Sequence, residues 1–506
     1  MTVRSDIRII AVTPRSVTAL LRPSDARFTL EQPLRWQLAQ DGQIVQHGIA
    51  KVVPLFLDRL EPETTYVLAL PDLGDEVQIT TSACAGMISV RDYGADPCLD
   101  DNSGAFANAT AMLPKGGTLL VPRGHYVSGP IFLRSDMVLH LANGATLASR
   151  PDRDHWPILP AHHDDGRVLG SWEGVAERSY AALLTAIDAR NVTITGSGTI
   201  DGGGDRGDWW SWPKECRNGA RRARTIYMTG CDDVIISGVK VCNSPSWTIH
   251  PHQCNNVTAA ALRIENPPDS PNTDGLNPES CQDVLIAGLH FTVGDDCIAI
   301  KAGKRSPNAT DPLLPTRNID IRNSRMERGH GAVVLGSEMS GGIEDVRIAR
   351  CEFVGTDRGL RIKTRRGRGG YVRNITLSDC TMSAVQTPIA VNAFYFCDAD
   401  GRTTAVQDRN PAPVDDTTPR IENITVTNVS ATDVHHAVGA FLGLPEAPIS
   451  SVRLHDVTWT YADAAVAAPP LMACNVDPVR HAEILSEFVE VVTSGLHCAA
   501  TAKEFV

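Results

Sequence analysis

No stretch of the chain approaches the roughly 20 consecutive apolar residues that cross a bilayer as a helix. The opening residues MTVRSDIRIIAVTPRSV also lack the apolar core of a secretory leader. A membrane partner is therefore not expected, and the expected location is cytoplasmic. Basic residues are in deficit, with 47 Lys and Arg against 59 Asp and Glu and a formal net charge of -12. Without a pervasive basic face nucleic acid is not an expected partner, and any polyanion must be held by locally concentrated cations. Close cysteine pairs are missing as well. The 13 cysteines, an odd number, run from Cys84 to Cys498 without a CxxC, which argues against a disulfide framework and against a thiolate metal site. Cys242, Cys281, Cys297, Cys351 and Cys380 fall in or beside strand-like runs and read as reduced, buried small side chains. Neither metal nor cofactor is expected.

Aromatic residues make up only 5% and charged residues 21% of the chain, whereas there are 41 Gly and 32 Pro, the balance of a loop-rich β protein. A length of 506 residues exceeds one ordinary compact core, so two domains or an elongated repeat are required. Residues 1–86 show short alternating runs (Ile9 to Val12, Val17 to Leu21, Leu34 to Leu38, Tyr66 to Leu70, Val77 to Thr80) between Pro, Asp and Gly turns. They predict a small antiparallel β-sandwich. Composition shifts at Ala83-Cys84-Ala85-Gly86, and from 87 to 506 a different rule applies. β-branched runs start at Val192, Val234, Val257, Val284, Ile319, Val346, Ile375, Ile424 and Val452, several of them preceded by Asn or Asp. Their spacings of 42, 23, 27, 35, 27, 29, 49 and 28 residues are mostly one coil of a parallel β-helix. The intervals of 42 and 49 then mean long loops or a missed coil. A short helix near Ser103 to Leu113 is expected to cap the first coil, and the residues after about Tyr461 to leave the repeat and cover the last one.

Four motifs lie on consecutive coils: Asn272-Thr273-Asp274-Gly275, Gly294-Asp295-Asp296, Gly329-His330-Gly331 and Arg361-Ile362-Lys363. Neighbouring coils stack about 4.8 Å apart, so equivalent positions form a row. Three carboxylates, an imidazole and two cations would meet there. Aspartates that merely satisfy turn amides need not be doubled, nor followed at coil spacing by Gly-His-Gly and Arg-x-Lys. Strand alternation puts Arg361 and Lys363 on the outer face and Ile362 in the core. Crowded carboxylates raise at least one proton affinity, the division of labour that glycoside hydrolysis needs. Arg365, Arg366 and Arg368 either extend a positive patch or form a solvated face.

NTDG, GDD, GHG and RIK, in this order and spacing, resemble the signature of the polygalacturonase family of pectin glycoside hydrolases over roughly Ile88 to Tyr461. The stretches SPSWTIHP, GSEMSGG and RIKTRRGRGG resemble its exo-acting bacterial branch, and LEPETTYVLAL resembles a fibronectin type III-like module. The resemblance implies an all-β, pectin-lyase-like right-handed parallel β-helix at 87–506 behind a sandwich at 1–86. It implies hydrolysis of α-1,4-galacturonosyl links in polygalacturonate or its oligomers, with inversion. By matched position Asp295 would be the general acid, Asp274 and Asp296 would hold and deprotonate water, and His330 would support the acid. Arg361 and Lys363 would bind the substrate carboxylate, Asn272 would brace the motif, and Lys301 in DDCIAIKAG would add a carboxylate contact. Tyr395 falls where a subsite tyrosine is expected.

Five of the eight tryptophans (Trp156, Trp172, Trp209, Trp210, Trp212) fall in the long departure from repetition at 151–223. They either close one end of a cleft by stacking on a terminal sugar or plug the gap between sandwich and β-helix. A cytoplasmic location goes with the exo reading, because only short oligomers would reach the enzyme. The same row would serve a rhamnogalacturonan or xylogalacturonan hydrolase. A pectate lyase would need a basic eliminating residue and calcium, and a non-catalytic carbohydrate-binding β-helix would need no stacked carboxylates.

Overall fold

The structure is a computed structural model that describes residues 6–154, 156–306 and 310–499. Its dominant feature is a right-handed parallel β-helix in which a typical coil supplies three strands. Two of them lie in a sheet of 23 strands and the third in a separate flank sheet. The nine β-branched starts form one registered column: Val192, Val234, Val257, Val284, Ile319, Val346, Ile375, Ile424 and Val452 each pair with the next. All nine are buried. No coil is missed at the long intervals of 42 and 49 residues, since Arg190–Gly196 pairs directly with Asp232–Ser237 and Tyr371–Ser378 with Arg420–Val434.

The residue before each start turns the chain into the strand. Asn191, Asp233, Asn256, Asp283, Asn318, Asp345, Asn374, Asn423 and Ser451 all have φ between 51° and 58°, a region that Asn and Asp tolerate because their side chains hydrogen-bond locally. These side chains also stack. Asn256 Nδ2 donates to Asp233 Oδ1 at 2.6 Å and Asn374 Nδ2 to Asp345 Oδ1 at 2.9 Å. Seven cysteines are buried, and all 13 are free thiols.

The predicted cap is a helix at Ser103–Met112 with Phe106 and Ala109 fully buried beneath it. The C-terminal expectation is corrected. Residues 462–481 do leave the repeat, but Ala482–Glu487 and Val489–Ser494 then pair in parallel with Ala437–Leu442 and Ile449–Tyr461 and build a further coil. Their alternation is weak because much of this last coil faces solvent, so its hydrophobic signal is low.

Residues 7–80 fold into two antiparallel sheets, one of three strands and one of four. The strands missed in the sequence are Gln43–Val52, an edge strand that exposes Ile44, Val45 and Ile49, and Pro54–Leu57. The core of this unit includes Ala287 of the β-helix. Ser16 Oγ lies 2.9 Å from Thr195 Oγ1, and Phe56 lies over Gly238. The unit is thus seated on the long sheet and contributes no residue to the cleft described next.

The five tryptophans also differ from expectation. Trp156, Trp209 and Trp212 are buried with Tyr180 in a core internal to the 151–223 excursion, and Trp172 is buried as well. Trp210, half-buried, packs against the same core, and none of the five lines the cleft directly, although the excursion that they stiffen does wall it.

Candidate active site

The four motifs lie on the flank, the first three in the turns that enter it and Arg361-Ile362-Lys363 within the strand Arg358–Lys363 of its six-stranded sheet. Gly275 N–H donates to the Asp296 carbonyl, Cys297 N–H to that of Gly331 and Ala332 N–H to that of Arg358. These identical steps put Asp274, Asp296, Gly331 and Arg358 at equivalent points of successive coils, with His330 above Asp295 one residue earlier. The expected single row is therefore offset. Arg361 pairs with Val334 and Lys363 with Gly336, farther along the strand, and both side chains reach back. Arg358, which does occupy the column, is a cleft residue that sequence reading missed.

Asp296 is 1% exposed and accepts from Lys363 Nζ at 2.7 Å and Arg361 Nη1 at 3.3 Å. Ile362, between the two cations, is in the core as alternation predicts. Asp295 Oδ1 accepts from the Asp296 N–H at 2.9 Å and lies 3.2 Å from His330 Nδ1. The flanking glycines permit this approach: at Gly329 a Cβ would lie 2.5 Å from the Asp295 carbonyl, and at Gly331 3.0 Å from Asp296 Oδ1. Asp274 accepts from Asn277 Nδ2 at 2.8 Å and lies 3.9 Å from Lys301 Nζ. Asn272, with φ 56°, braces the motif by accepting from the buried Arg222 at 2.6 Å.

Asp274 and Asp295 are shifted in opposite senses. Burial raises the proton affinity of Asp274 well above the usual carboxylate range, reinforced by the charge of Asp295 and only partly offset by Lys301. Burial acts on Asp295 in the same sense, but the hydrogen bond and charge of His330, with Lys363 and Arg361, outweigh it and leave Asp295 at about 2. His330 is correspondingly lifted to about 9, chiefly by its hydrogen bond to Asp295. One proton affinity is raised as expected, but on Asp274; Asp295, the residue expected to be the acid, is held low because the proton of the pair rests on His330.

Lys301 is in the site but is not a free cation. Its Nζ pairs with Glu338 Oε2 at 2.8 Å and sits 4.5 Å from the centre of the Trp247 ring. Of the five basic residues at 361–368, only Arg361 and Lys363 line the cleft. Arg365 pairs with Asp398 at 2.9 Å, Arg366 with Glu446 at 2.6 Å, and Arg368 with Asp398. These three are neither a solvated face nor a substrate patch: they tie down the loop that walls the cleft. Tyr395 lies under Arg361 and Lys363, with its ring centre 5.7 and 5.4 Å from their charges.

The cleft has two chambers that meet at Asp295. The larger, about 400 Å³, is lined by His330, Asp357, Arg358, Arg361, Lys363 and Met472 among others. The smaller, about 100 Å³, is lined by Asp274, Asp296, Glu173, Trp247, Lys301 and Glu338 among others. Trp247 and Glu338 stand inside SPSWTIHP and GSEMSGG, but only their neighbours across the coils identify them as cleft residues. Among the described residues no group of three or more His, Cys, Asp or Glu is placed to hold a metal ion.

Comparison with known proteins agrees with this architecture. The sequence model described as "Glycosyl hydrolases family 28" matches residues 167–477. A "Probable polygalacturonase" of Vitis vinifera is 33% identical over 375 residues, 73% of each chain. The crystal structure of a hyperthermoactive exopolygalacturonase from Thermotoga maritima superposes with a TM-score of 0.67 at 26% identity, covering 81% of this chain and 91% of that one. A family 28 exopolygalacturonase from Yersinia enterocolitica shares the fold over 98% of this chain and 97% of its own, with a TM-score of 0.67 at 21% identity. With its column of carboxylates on the flank of the β-helix, this chain belongs to glycosyl hydrolases family 28.

Proposed function

We propose that the chain hydrolyses α-1,4-galacturonosyl links of polygalacturonate or oligogalacturonides from a chain end, with inversion and without a metal. The observation that carries this reading is the meeting of Asp274, Asp295 and Asp296 with His330, Arg361 and Lys363 in one cleft. Membership of the family and a relative named as a polygalacturonase support it.

In this mechanism the Asp295 and His330 pair holds the catalytic proton and delivers it through Asp295 to the glycosidic oxygen as the C1–O bond breaks. Asp296, held in place by Lys363 at 2.7 Å and Arg361 at 3.3 Å, positions the water that forms the new bond to C1. Asp274, whose proton affinity is raised by burial, takes the water's proton once it is ionised. Arg361, Lys363 and Arg358 hold substrate carboxylates on the leaving-group side. Asn272 orients the motif, and Lys301 acts through Glu338 and Asp274.

End-on action is supported by the short chamber, whose walls are tied down by ion pairs of Asp398 with Lys304 and Arg365 and of Glu173 with Lys214. In the same reading residues 1–86 are a fibronectin type III-like module, supported by its three-stranded and four-stranded antiparallel sheets, and 87–506 form the catalytic β-helix. The module braces the long sheet.

The test is a time course of products from polygalacturonate in EDTA, comparing the protein with Asp295→Asn. Accumulation of one short product, abolished by the substitution, is expected. A ladder of intermediate oligomers would refute end-on action, and no products at all would refute the substrate.

A further inference from the structure

The two chambers differ in which catalytic groups they contain, and this fixes the direction of the chain. The acid protonates the oxygen that leaves with the reducing-side sugar, whereas the water attacks C1 of the other sugar. Asp274 and Asp296 line the smaller chamber and are absent from the lining of the larger, His330 lines the larger and not the smaller, and Asp295 lines both. If the roles proposed above hold, the sugar attacked at C1 lies in the smaller chamber and the rest of the chain in the larger. The smaller chamber therefore receives the non-reducing end.

That chamber is closed by a hairpin, Ser171–Trp172 paired with Val175–Ala176, which packs directly on Glu338. A Cβ at Gly174, where φ is +82°, would lie 2.8 Å from Glu338 Cγ and 2.8 Å from the Lys304 backbone N. Glu173 at the hairpin tip pairs with Lys214 at 3.5 Å, and Trp172 stacks behind Trp247 with ring centres 6.2 Å apart. Glu338 is 8% exposed, and its carboxylate is oriented by Lys301 at 2.8 Å and Ser337 Oγ at 3.2 Å. It is an acceptor fixed in the wall of the chamber, which the Trp247 ring also lines.

In an α-1,4-linked chain only the non-reducing terminal residue has a free 4-hydroxyl. We infer that Glu338 is the chain-end reader: its carboxylate accepts a hydrogen bond from a hydroxyl of that terminal sugar, the 4-hydroxyl being the one that distinguishes an end from the middle of a chain. It is a specificity-determining residue and takes no part in proton transfer. In this reading the smaller chamber, about 100 Å³, takes a single sugar, and the product is the monosaccharide.

The experiment uses trigalacturonate labelled at its reducing end and the matching trimer whose non-reducing residue is 4,5-unsaturated and so lacks the 4-hydroxyl. The full-length protein is expected to release unlabelled monosaccharide first and to use the unsaturated trimer at least about 10²-fold less efficiently, because a site built around a hydroxyl strongly rejects its absence. In Glu338→Gln the ratio of the two kcat/KM values should fall toward one, chiefly through a higher KM for the saturated trimer. Glu338→Asp, which keeps the charge beside Lys301 but shortens the reach, should lie between. Labelled monosaccharide as the first product overturns the assigned direction. An unchanged ratio in a folded Glu338→Gln shows that Glu338 merely balances Lys301 and overturns its role as reader. Both results leave galacturonan hydrolysis standing, whereas failure of the unsubstituted protein to cleave either trimer overturns the underlying function as well.

Discussion

Lys363→Met separates what the cation does for folding from what it does for catalysis. Asp296 is 1% exposed, and its two charged partners are Lys363 at 2.7 Å and Arg361 at 3.3 Å. Removing one partner of a buried ion pair typically costs about 3 to 5 kcal/mol, because the remaining charge is left uncompensated. Arg361 stays in place, so the lower end, about 3 kcal/mol, is expected. With a urea dependence of about 3 kcal/mol per molar, the unfolding midpoint should drop by about 1 M. The combined variant Asp296→Asn/Lys363→Met removes the stranded charge and should recover most of that loss. Activity should behave differently: both variants lose about 10²-fold or more in kcat/KM, and the combined variant recovers none of it. Urea unfolding followed by intrinsic fluorescence, with a reducing-sugar assay on the same preparations, measures both. A single variant that unfolds at the unsubstituted midpoint, or a combined variant no more stable than the single, would refute the view that the Lys363 and Asp296 pair is a buried, mutually compensating contact.

The pH profile of kcat/KM should be bell-shaped. Its alkaline limb follows loss of the His330 proton near pH 9, and its acid limb follows protonation of Asp274, whose affinity is raised; His330→Gln should remove the alkaline inflection. In stability the contribution of the raised His330 is fully present below pH 6.5 and disappears as pH rises through about 9. Asn256→Ala, at φ 51° and without the 2.6 Å bond to Asp233, should lower stability by about 1 to 2 kcal/mol in a denaturation series, with Asn256→Gly spared most of the backbone share. Arg366→Met breaks the pair with Glu446 that anchors the wall loop, so limited proteolysis should cut within 394–410 sooner than in the unsubstituted chain. Cys397 is exposed and lines both chambers. Alkylation should inactivate the protein and fail to inactivate Cys397→Ser.

The β-helix was legible because its periodicity is written in residue types that geometry constrains twice. The nine β-branched starts must fill a buried column, and the Asn or Asp before eight of them must tolerate a left-handed backbone. Motifs carrying charge at coil spacing then located the site. What stayed hidden depends on which coil residues are neighbours in space. Arg358 occupies the column of Asp274 and Asp296, but in the sequence it precedes the motif that drew notice. Lys301 looked like a free anchor because its partner Glu338 is 37 residues away on the next coil. The run at 361–368 looked like one patch because sequence does not show that Asp398 and Glu446 return to neutralise three of its members. The last coil was missed because an exposed end does not need the strong alternation that marks the buried ones.

A chain of net charge -12 that takes a polyanion must separate its charges along the cleft, and the two chambers do so. Lys214, His330, Arg358, Arg361 and Lys363 face Asp295 and Asp357 in the larger one. In the smaller, Glu173, Asp274, Asp295, Asp296, Glu338 and Asp398 face Lys214, Lys301 and Lys363. If the proposed direction holds, the body of an anionic chain would be drawn to the leaving-group side, while the acidic chamber would disfavour a second carboxylate. The cations that draw the body are screened by salt, whereas the contacts of the enclosed terminal ring are short-ranged and screened far less. Raising ionic strength should therefore increase KM steeply for long oligomers and weakly for the dimer. Equal salt dependence for dimer and hexamer would show that the larger chamber does not recognise the body of the chain by its charge.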